Sequence, residues 1–171
     1  MKKILVILFT SILSFSQPNY LSPVFSNVFS FPNSQWEFSM DKLKYGVEIA
    51  GFLKGTTWIE SPVIIYSELI NTNYYFDLFN TITISKKTSQ FKDLSYMTRD
   101  IELPTDVPYT LNFWVLPKIV YEYVAYFSID KNHIVSIVIS SKEKKYIEKF
   151  YNDYKMILIN FSKTISSLQE G

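Results

Sequence analysis

The sequence contains no cysteine, one histidine and four glycines among 171 residues. Without cysteine the chain can form no disulfide and no thiolate metal site, and no lipid-modified cysteine at a processing site. The single histidine, His133, leaves no second imidazole to complete a zinc site. No Gly-rich phosphate loop and no acidic calcium loop occurs either. We therefore expect the chain to use neither a metal nor another cofactor.

An excess of basic charge is also missing. The 17 Lys and Arg residues face 16 Asp and Glu residues, which gives a net charge of +1. Proteins that bind nucleic acid neutralise phosphates with a surplus of Lys and Arg, so we expect no nucleic-acid partner. Hydrophobic residues make up 47% of the chain and charged residues 19%, a balance typical of a folded domain. The 13 Tyr and 14 Phe favour strands.

The first residues have the pattern of an export signal. Lys2 and Lys3 precede an apolar run over residues 4–13, and Ser14 and Ser16 are the small residues at a cleavage site before Gln17. A membrane anchor is the alternative, but a spanning helix needs about 20 apolar residues, roughly twice this run. No later stretch is long and apolar enough to span a bilayer. We therefore expect residues 1–16 to be a signal peptide of an exported bacterial protein, periplasmic or secreted.

The remainder divides into a short irregular segment and one domain. Three prolines interrupt residues 17–34, which predicts an irregular lead-in. Residues 35–171 then predict a single α+β domain. Gly55 is expected at positive φ in a turn over residues 54–57, and a helix is expected over residues 75–87. Strands are predicted over residues 36–40, 45–53, 62–70, 94–103, 109–116, 119–129 and 134–139, of which the last is apolar on both faces and hence central.

A long amphipathic helix is predicted to end the chain. Ser140 and Glu143 have the spacing of a capping box, with Ser140 as the N-cap. Apolar residues then recur at steps of three and four and form one stripe: Tyr146, Ile147, Phe150, Tyr154, Ile157, Leu158 and Phe161. Lysines at the start of this helix alternate with glutamates, which indicates a solvated face rather than a lipid-binding patch: Lys142, Lys144, Lys145 and Lys149.

Two segments of the chain are similar to a known fold group. Residues 46–66 read GVEIAGFLKGTTWIESPVIIY, and residues 122–126 (EYVAY) lead through residues 134–141 (IVSIVISS) into the last helix. In these segments and their spacing the chain resembles uncharacterised exported bacterial proteins with a PsbP-like fold. The resemblance implies a twisted antiparallel sheet with helices on both faces. Because proteins with this fold are mostly binding or assembly factors, it also favours a non-catalytic role, although fold alone does not fix function.

Two hypotheses for function follow. The first is a non-enzymatic exported domain that binds a protein or a small ligand, for which Trp58, Tyr66 and Trp114 are the candidate ligand-binding residues. The second is a hydrolase that uses paired carboxylates, with Asp100 and Glu102 on one face of a predicted strand. His133 follows Asp130 in a predicted hairpin turn and is interpreted as a surface residue. A polar pocket that contains both carboxylates would favour the hydrolase.

Overall fold

A computed structural model describes residues 35–39 and 47–169. The predicted signal peptide and lead-in, residues 1–34, lie outside the described residues. The described chain forms one antiparallel sheet and two helices, which confirms the predicted α+β class. The elements in chain order are β1 (Trp36–Ser39), β2 (Val47–Leu53), β3 (Val63–Asn71), α1 (Phe76–Gln90), β4 (Ser95–Thr98), β5 (Tyr109–Leu116), β6 (Val120–Ser128), β7 (His133–Ser141) and α2 (Lys144–Gln169).

The sheet has seven strands in the order β1-β2-β3-β7-β6-β5-β4. Every neighbouring pair is antiparallel. The central ladder joins β3 to β7 from Val63↔Ser141 to Asn71↔His133. The prediction that the last strand is central and covered on both faces is confirmed, because β7 is the fourth strand and six consecutive residues of it are buried. One helix lies on each face, as the resemblance implied.

Helix α2 covers one face through an apolar stripe. All seven residues of the predicted stripe contact this core, and six of them are buried. The hydroxyl of Tyr154 fixes the helix to the two central strands, since it donates to the carbonyl of Ile137 at 2.7 Å and accepts from the amide of Ala125 at 3.0 Å. Trp36 in β1 donates to the carboxylate of Asp153 at 2.8 Å. Helix α2 thus contacts strands from both halves of the sheet.

Helix α1 covers the opposite face with fewer apolar side chains. Its buried residues are Phe79, Thr83 and Lys87. The ring of Phe79 meets the ring of Tyr126 edge-on at a centroid distance of 5.4 Å. Asn80 accepts a hydrogen bond from Asn112 of β5 at 3.3 Å. The predicted helix over residues 75–87 is therefore present and extends to Gln90.

Two turns match their predictions. Gly55 adopts φ of 79° in the turn between β2 and β3. The β6–β7 hairpin closes as expected at Lys131 and Asn132, where the amide of Asn132 donates to the side chain of Asp130 at 2.7 Å. Among the described residues, no helix is both long and apolar enough to cross a membrane.

The predicted strand over residues 94–103 is wrong beyond Thr98. Strand β4 ends there, and residues 99–108 form a loop. The apolar residues that suggested a strand are instead buried in the loop, where Ile101 and Leu103 contact the core under α2. The Tyr109 hydroxyl holds this loop, because it donates to the carbonyl of Ile101 at 2.7 Å and accepts from the amide of Leu103 at 3.2 Å.

The predicted capping box is also wrong. Ser140 lies within β7, and its hydroxyl donates to Glu122 of β6 instead of capping the helix. The strand continues to Ser141, and the helix begins at Lys144. The Ser141 hydroxyl accepts from the amide of Glu143 at 3.1 Å, which forms a local turn before the helix rather than a cap on it. The β-branched run before Ser140 continues the ladder past the expected helix start.

Candidate functional site

A cleft of about 560 Å³ opens at one end of the sheet, on the α1 face. Three connections border it, namely the loop from β2 to β3, the turn from β5 to β6 and the link from β7 to α2. We call it the Glu122 cleft after the buried carboxylate in its wall. Its apolar lining consists of Ile59, Pro62, Ile64, Tyr66, Ile119 and Val120. Its polar lining consists of Glu60, Ser61, Glu122, Ser140, Ser141, Lys142 and Glu143.

A row of side chains, which we call the floor row, crosses four strands: three of its members line the cleft, and the fourth, Trp114, lies beyond the lining under α1. Ile64, Ser140, Glu122 and Trp114 are paired in register on β3, β7, β6 and β5, and therefore lie on one face of the sheet. The Ser140 hydroxyl donates to Oε1 of Glu122 at 2.8 Å. Glu122 is only 2% exposed. An ionisable group this deep in a sheet is costly unless other charges and donors stabilise it.

Lys87 of α1 brings a positive charge to the same row. Its Nζ lies 4.7 Å from the centroid of the Trp114 ring, and the residue is 6% exposed. Burial lowers the pKa of Lys87 to about 8, although the carboxylates of Glu122 and Glu68 oppose this effect. Burial likewise raises the pKa of Glu122, and the Lys87 ammonium and the Ser140 hydroxyl limit the rise. The pair is thus coupled across the interface between the helix and the sheet.

Further polar groups surround this pair under α1. Glu68 of β3 is 3% exposed and accepts a hydrogen bond from the Ser136 hydroxyl at 3.4 Å. Burial raises the pKa of Tyr126, and the charges of Glu68 and Glu122 add to the rise. The indole nitrogen of Trp114 and the hydroxyl of Tyr126 have no hydrogen-bond partner within the described part of the chain. Buried polar atoms without a partner are rare in folded proteins.

The rim of the cleft is fixed by its own hydrogen bonds. The Ser61 hydroxyl donates to the carbonyl of Val63 at 2.5 Å, and the Ser141 hydroxyl donates to the carbonyl of Pro62 at 2.7 Å. Glu60 accepts from the Thr57 hydroxyl at 2.9 Å. The bond between Ser141 and Pro62 joins the end of β7 to the β2–β3 loop, and the other two bonds fix the loop itself. The opening is therefore preformed, which lowers the entropy lost on binding.

The three aromatic residues proposed as ligand contacts lie around this cleft. Tyr66 lines it, and the half-buried ring of Trp58 meets the ring of Tyr66 edge-on at 6.4 Å. Trp114 lies in the floor row beside Glu122, under Lys87. Tyr66 and Trp114 are each 1% exposed and belong to the core under α1. The structure thus brings the three residues together, and their role in binding stays a prediction.

The carboxylate pair proposed for a hydrolase is not placed as expected. Asp100 and Glu102 lie in the loop over residues 99–108 and not on a strand face, and both are exposed. Neither belongs to the lining of the Glu122 cleft. The error follows from the overlong predicted strand, because strand periodicity was the reason to place both carboxylates on one face.

His133 has the expected position at the β6–β7 hairpin. Its Nδ1 lies 2.7 Å from the carboxylate of Asp130, and 38% of its side chain is exposed. Burial raises the pKa of Asp130, but hydrogen bonds from the Asn132 amide and the His133 ring outweigh it, and the net pKa is lowered. His133 and Ser140 are seven residues apart on β7, which is about 23 Å at 3.3 Å per residue. The histidine therefore lies far from the cleft.

Sequence reasoning missed Lys87, Glu122 and Ser140 as site residues. Glu122 carried a usable signal, because an acidic residue within a long apolar strand is unusual when that strand is central. Ser140 was assigned to a helix cap. Lys87 gave no signal, since a lysine near the end of a predicted helix is normally solvated. Within residues 35–39 and 47–169, no group of three or more His, Asp and Glu side chains is placed to hold a metal ion.

The chain is similar to a solved protein structure, whereas the comparisons of its sequence find no match. No family model matches the sequence, and no curated protein sequence matches it. Among solved structures, the chain is similar to the solution structure of cyanobacterial PsbP (CyanoP) from Synechocystis sp. PCC 6803, with 12% sequence identity and a TM-score of 0.42. The match covers 74% of this chain and 80% of the other. Values this low carry no argument about family or function.

Proposed function

We propose that the chain is a non-enzymatic, exported bacterial domain that binds a small ligand in the Glu122 cleft. The observation that carries this proposal is a preformed cleft of about 560 Å³ with a buried carboxylate in its wall. Its size lies within the range of small-molecule sites, which also combine mostly apolar walls with a few fixed polar groups. Of the three candidate aromatic residues, Tyr66 lines the cleft, and Trp58 and Trp114 share the apolar cluster under α1 with it.

The shape of the site favours a small ligand over a protein partner. The polar groups of the cleft lie at its floor and rim, between three chain connections, and a flat protein surface would not reach Glu122. The cleft also offers apolar contact on several sides, through Ile59, Ile64 and Ile119 among others. A ligand with an apolar body and one polar end satisfies both parts of the lining.

The placement of titratable groups supports a binding role. General acid–base catalysis is most often done by histidine, and His133 lies about 23 Å along β7 from Ser140. Lys87 is covered by the α1–sheet interface and is not among the cleft-lining residues. Glu122 and Ser140 are a hydrogen-bonded polar pair in the lining of the cleft.

Binding can be tested with the uncharged fluorescent probe N-phenyl-1-naphthylamine. We expect saturable binding to the full mature chain, and a loss of at least about tenfold in affinity in Ile119→Asp, because a charge at the rim must be desolvated. Met156→Asp is the matched control, since Met156 is similarly exposed but lies on α2. Equal affinities in the two variants, or no saturable binding in the wild type, would contradict the proposal.

One observation favours a second candidate function, a carboxylate-dependent hydrolase. The Ser140 hydroxyl lies 2.8 Å from Glu122, and burial raises the pKa of that carboxyl, which is the relation of a nucleophile to its base. In this case p-nitrophenyl acetate would be hydrolysed with saturation kinetics, and Ser140→Ala and Glu122→Gln would both abolish turnover. Turnover that is unchanged in both variants would exclude this function.

Export is proposed from the N-terminal residues. Lys2 and Lys3, the apolar run over residues 4–13 and the small residues before Gln17 support removal of residues 1–16 and a periplasmic or secreted location. Expressed in a bacterium, the protein should be recovered outside the cytoplasm with an intact mass that begins near Gln17. Exported protein that retains Met1 would contradict this.

A further inference from the structure

We infer that the polar end of the ligand is an ammonium group, which binds the carboxylate of Glu122, while an alkyl or aryl body fills the apolar part of the cleft. This inference rests on the proposed function and names its ligand class. It depends on three observations: the charges around the cleft, the position of the Lys87 ammonium over Trp114, and the apolar walls beside Glu122.

Carboxylates outnumber cations in the cleft lining. Glu60, Glu122 and Glu143 line it together with one basic residue, Lys142. The Glu143 carboxylate is bridged to Lys145 at 2.6 Å, and both of these side chains are exposed at the rim. Glu122 is therefore the buried charge of the lining, and a ligand that brings a positive charge would be attracted to it.

The side chain of Lys87 already places one ammonium group against the floor row. Lys87 reaches the face of Trp114, and its charge is coupled first to Glu122 and then to Glu68. Two carboxylates and an aromatic face are the groups that recognise alkylammonium ions. Glu68 lies outside this row, beside Ser136 under α1, whereas Glu122 belongs to the row and also lines the cleft. The cleft gives external access to this row at Glu122.

The walls next to Glu122 suit a hydrocarbon chain. Ile64 is the neighbour of Ser140 in the floor row, and Ile119 and Val120 approach from the β5–β6 turn. An ammonium at Glu122 therefore leaves the rest of the ligand in contact with these side chains. Anionic amphiphiles fit the same walls but would place a second negative charge against Glu122, which is repulsive at short range.

The test uses three eight-carbon probes that share one chain and differ at one end: octylamine, octanol and octanoate. Titration calorimetry of the full mature chain at pH 7 should give affinity in the order amine, alcohol, carboxylate, with the amine at least about tenfold tighter than the alcohol because a charged hydrogen bond is stronger than a neutral one. Octanol that binds as tightly as octylamine would overturn the inference and leave the proposed function standing. No binding of any of the three would contradict both.

Two variants test whether Glu122 causes the preference for octylamine over octanol. Glu122→Gln should reduce octylamine affinity by about tenfold and change octanol affinity by less than about threefold. Glu148→Gln, an exposed carboxylate on α2 outside the cleft lining, is the matched control and should change neither. If Glu122→Gln does not fold, Ile119→Lys at the rim should weaken octylamine and strengthen octanoate, with Met156→Lys as control. An unchanged preference in the variant that folds would overturn the inference.

Discussion

The two faces of the sheet are covered by helices in different ways. Under α2 the contacts are almost entirely apolar, from Ile147 at the start of the helix to Ile165 near its end. Under α1 a lysine, two glutamates and buried Tyr and Trp side chains share the interface, and the helix itself buries one large apolar residue, Phe79. Both faces have an apolar core, and the second face also contains a group of buried charged side chains.

The difference has an energetic meaning. Apolar burial of the α2 kind stabilises a fold by about 25 cal/mol per Å², whereas a buried ion pair is often no more stabilising than well-packed apolar side chains. Replacing Lys87 and Glu122 by apolar residues would therefore cost the fold little. We interpret the polar α1 face as retained for binding, while the α2 face supplies stability.

The largest expected effect tests the α2 face. Phe150 is 1% exposed, so Phe150→Ala should lower the free energy of unfolding by about 3–5 kcal/mol, through lost transfer energy and the cavity that remains. Met156→Ala in the same helix should stay within about 0.5 kcal/mol, because Met156 is 52% exposed. Denaturant melts measure both. Equal losses would mean that the stabilising stripe of α2 is assigned to the wrong side.

The next effect tests the α1 face. Lys87→Met removes one member of a buried pair and leaves Glu122 uncompensated, which should cost about 3 kcal/mol. The double variant Lys87→Met with Glu122→Gln should be more stable than the single variant. Lys86→Met is the control, since the neighbouring lysine is exposed and should change stability by less than about 0.5 kcal/mol. Equal free energies of unfolding for Lys86→Met and Lys87→Met would mean that Lys87 does not stabilise the buried carboxylate of Glu122.

A smaller effect follows from the lowered pKa of Lys87. The unfolded chain binds a proton at Lys87 up to its ordinary pKa of 10.5, and the folded chain only up to about 8. Between these two pKa values the unfolded state binds more protons at Lys87 than the folded state does. The contribution of Lys87 to the free energy of unfolding therefore rises with pH. Relative to the double variant at Lys87 and Glu122, the wild type should gain about 2 kcal/mol between pH 7 and pH 9.5. Thermal melts of both proteins at the two pH values measure this, and a constant difference would exclude a lowered pKa.

The smallest effect lies at the sheet end away from the cleft. His133→Ala removes an exposed contact with Asp130, and surface pairs of this kind contribute little. Unfolding free energy should change by less than about 0.5 kcal/mol, and binding of N-phenyl-1-naphthylamine should be unaffected. A weakened probe affinity at an unchanged melting temperature would identify His133 as a binding residue and contradict its assignment as a surface residue.

The fold was largely predictable because its signals are local. The strands β5 and β6, the turn at Lys131 and the stripe of α2 are each indicated by residues close in sequence, and each prediction holds. The predictions failed where interactions between residues distant in sequence determine the local structure. The loop over residues 99–108 buries Ile101 and Leu103 through a bond to Tyr109, and Ser140 is bonded to Glu122 on another strand. Neither interaction is visible in a sequence window.

The site was less predictable than the fold. Trp58, Tyr66 and Trp114 were singled out as large aromatics, and the structure places them near one another. Lys87 and Glu122 are 35 positions apart, and their charges interact only because α1 packs on the sheet. Pairing of buried charges is a property of the tertiary structure, and composition gives no indication of it.

The central ladder between β3 and β7 also has a consequence for how the chain folds. Ser67 and Ser136 meet across this ladder although 69 positions separate them, whereas β1–β3 and β5–β7 are each connected by short links. Each of these strand groups can form early from nearby residues, while closure of the central ladder must first overcome the entropy of a long loop. We therefore expect the joining of the two half-sheets to limit the folding rate, and the cleft, whose lining includes Ile64 of β3 and Ser140 of β7, to exist only after that step.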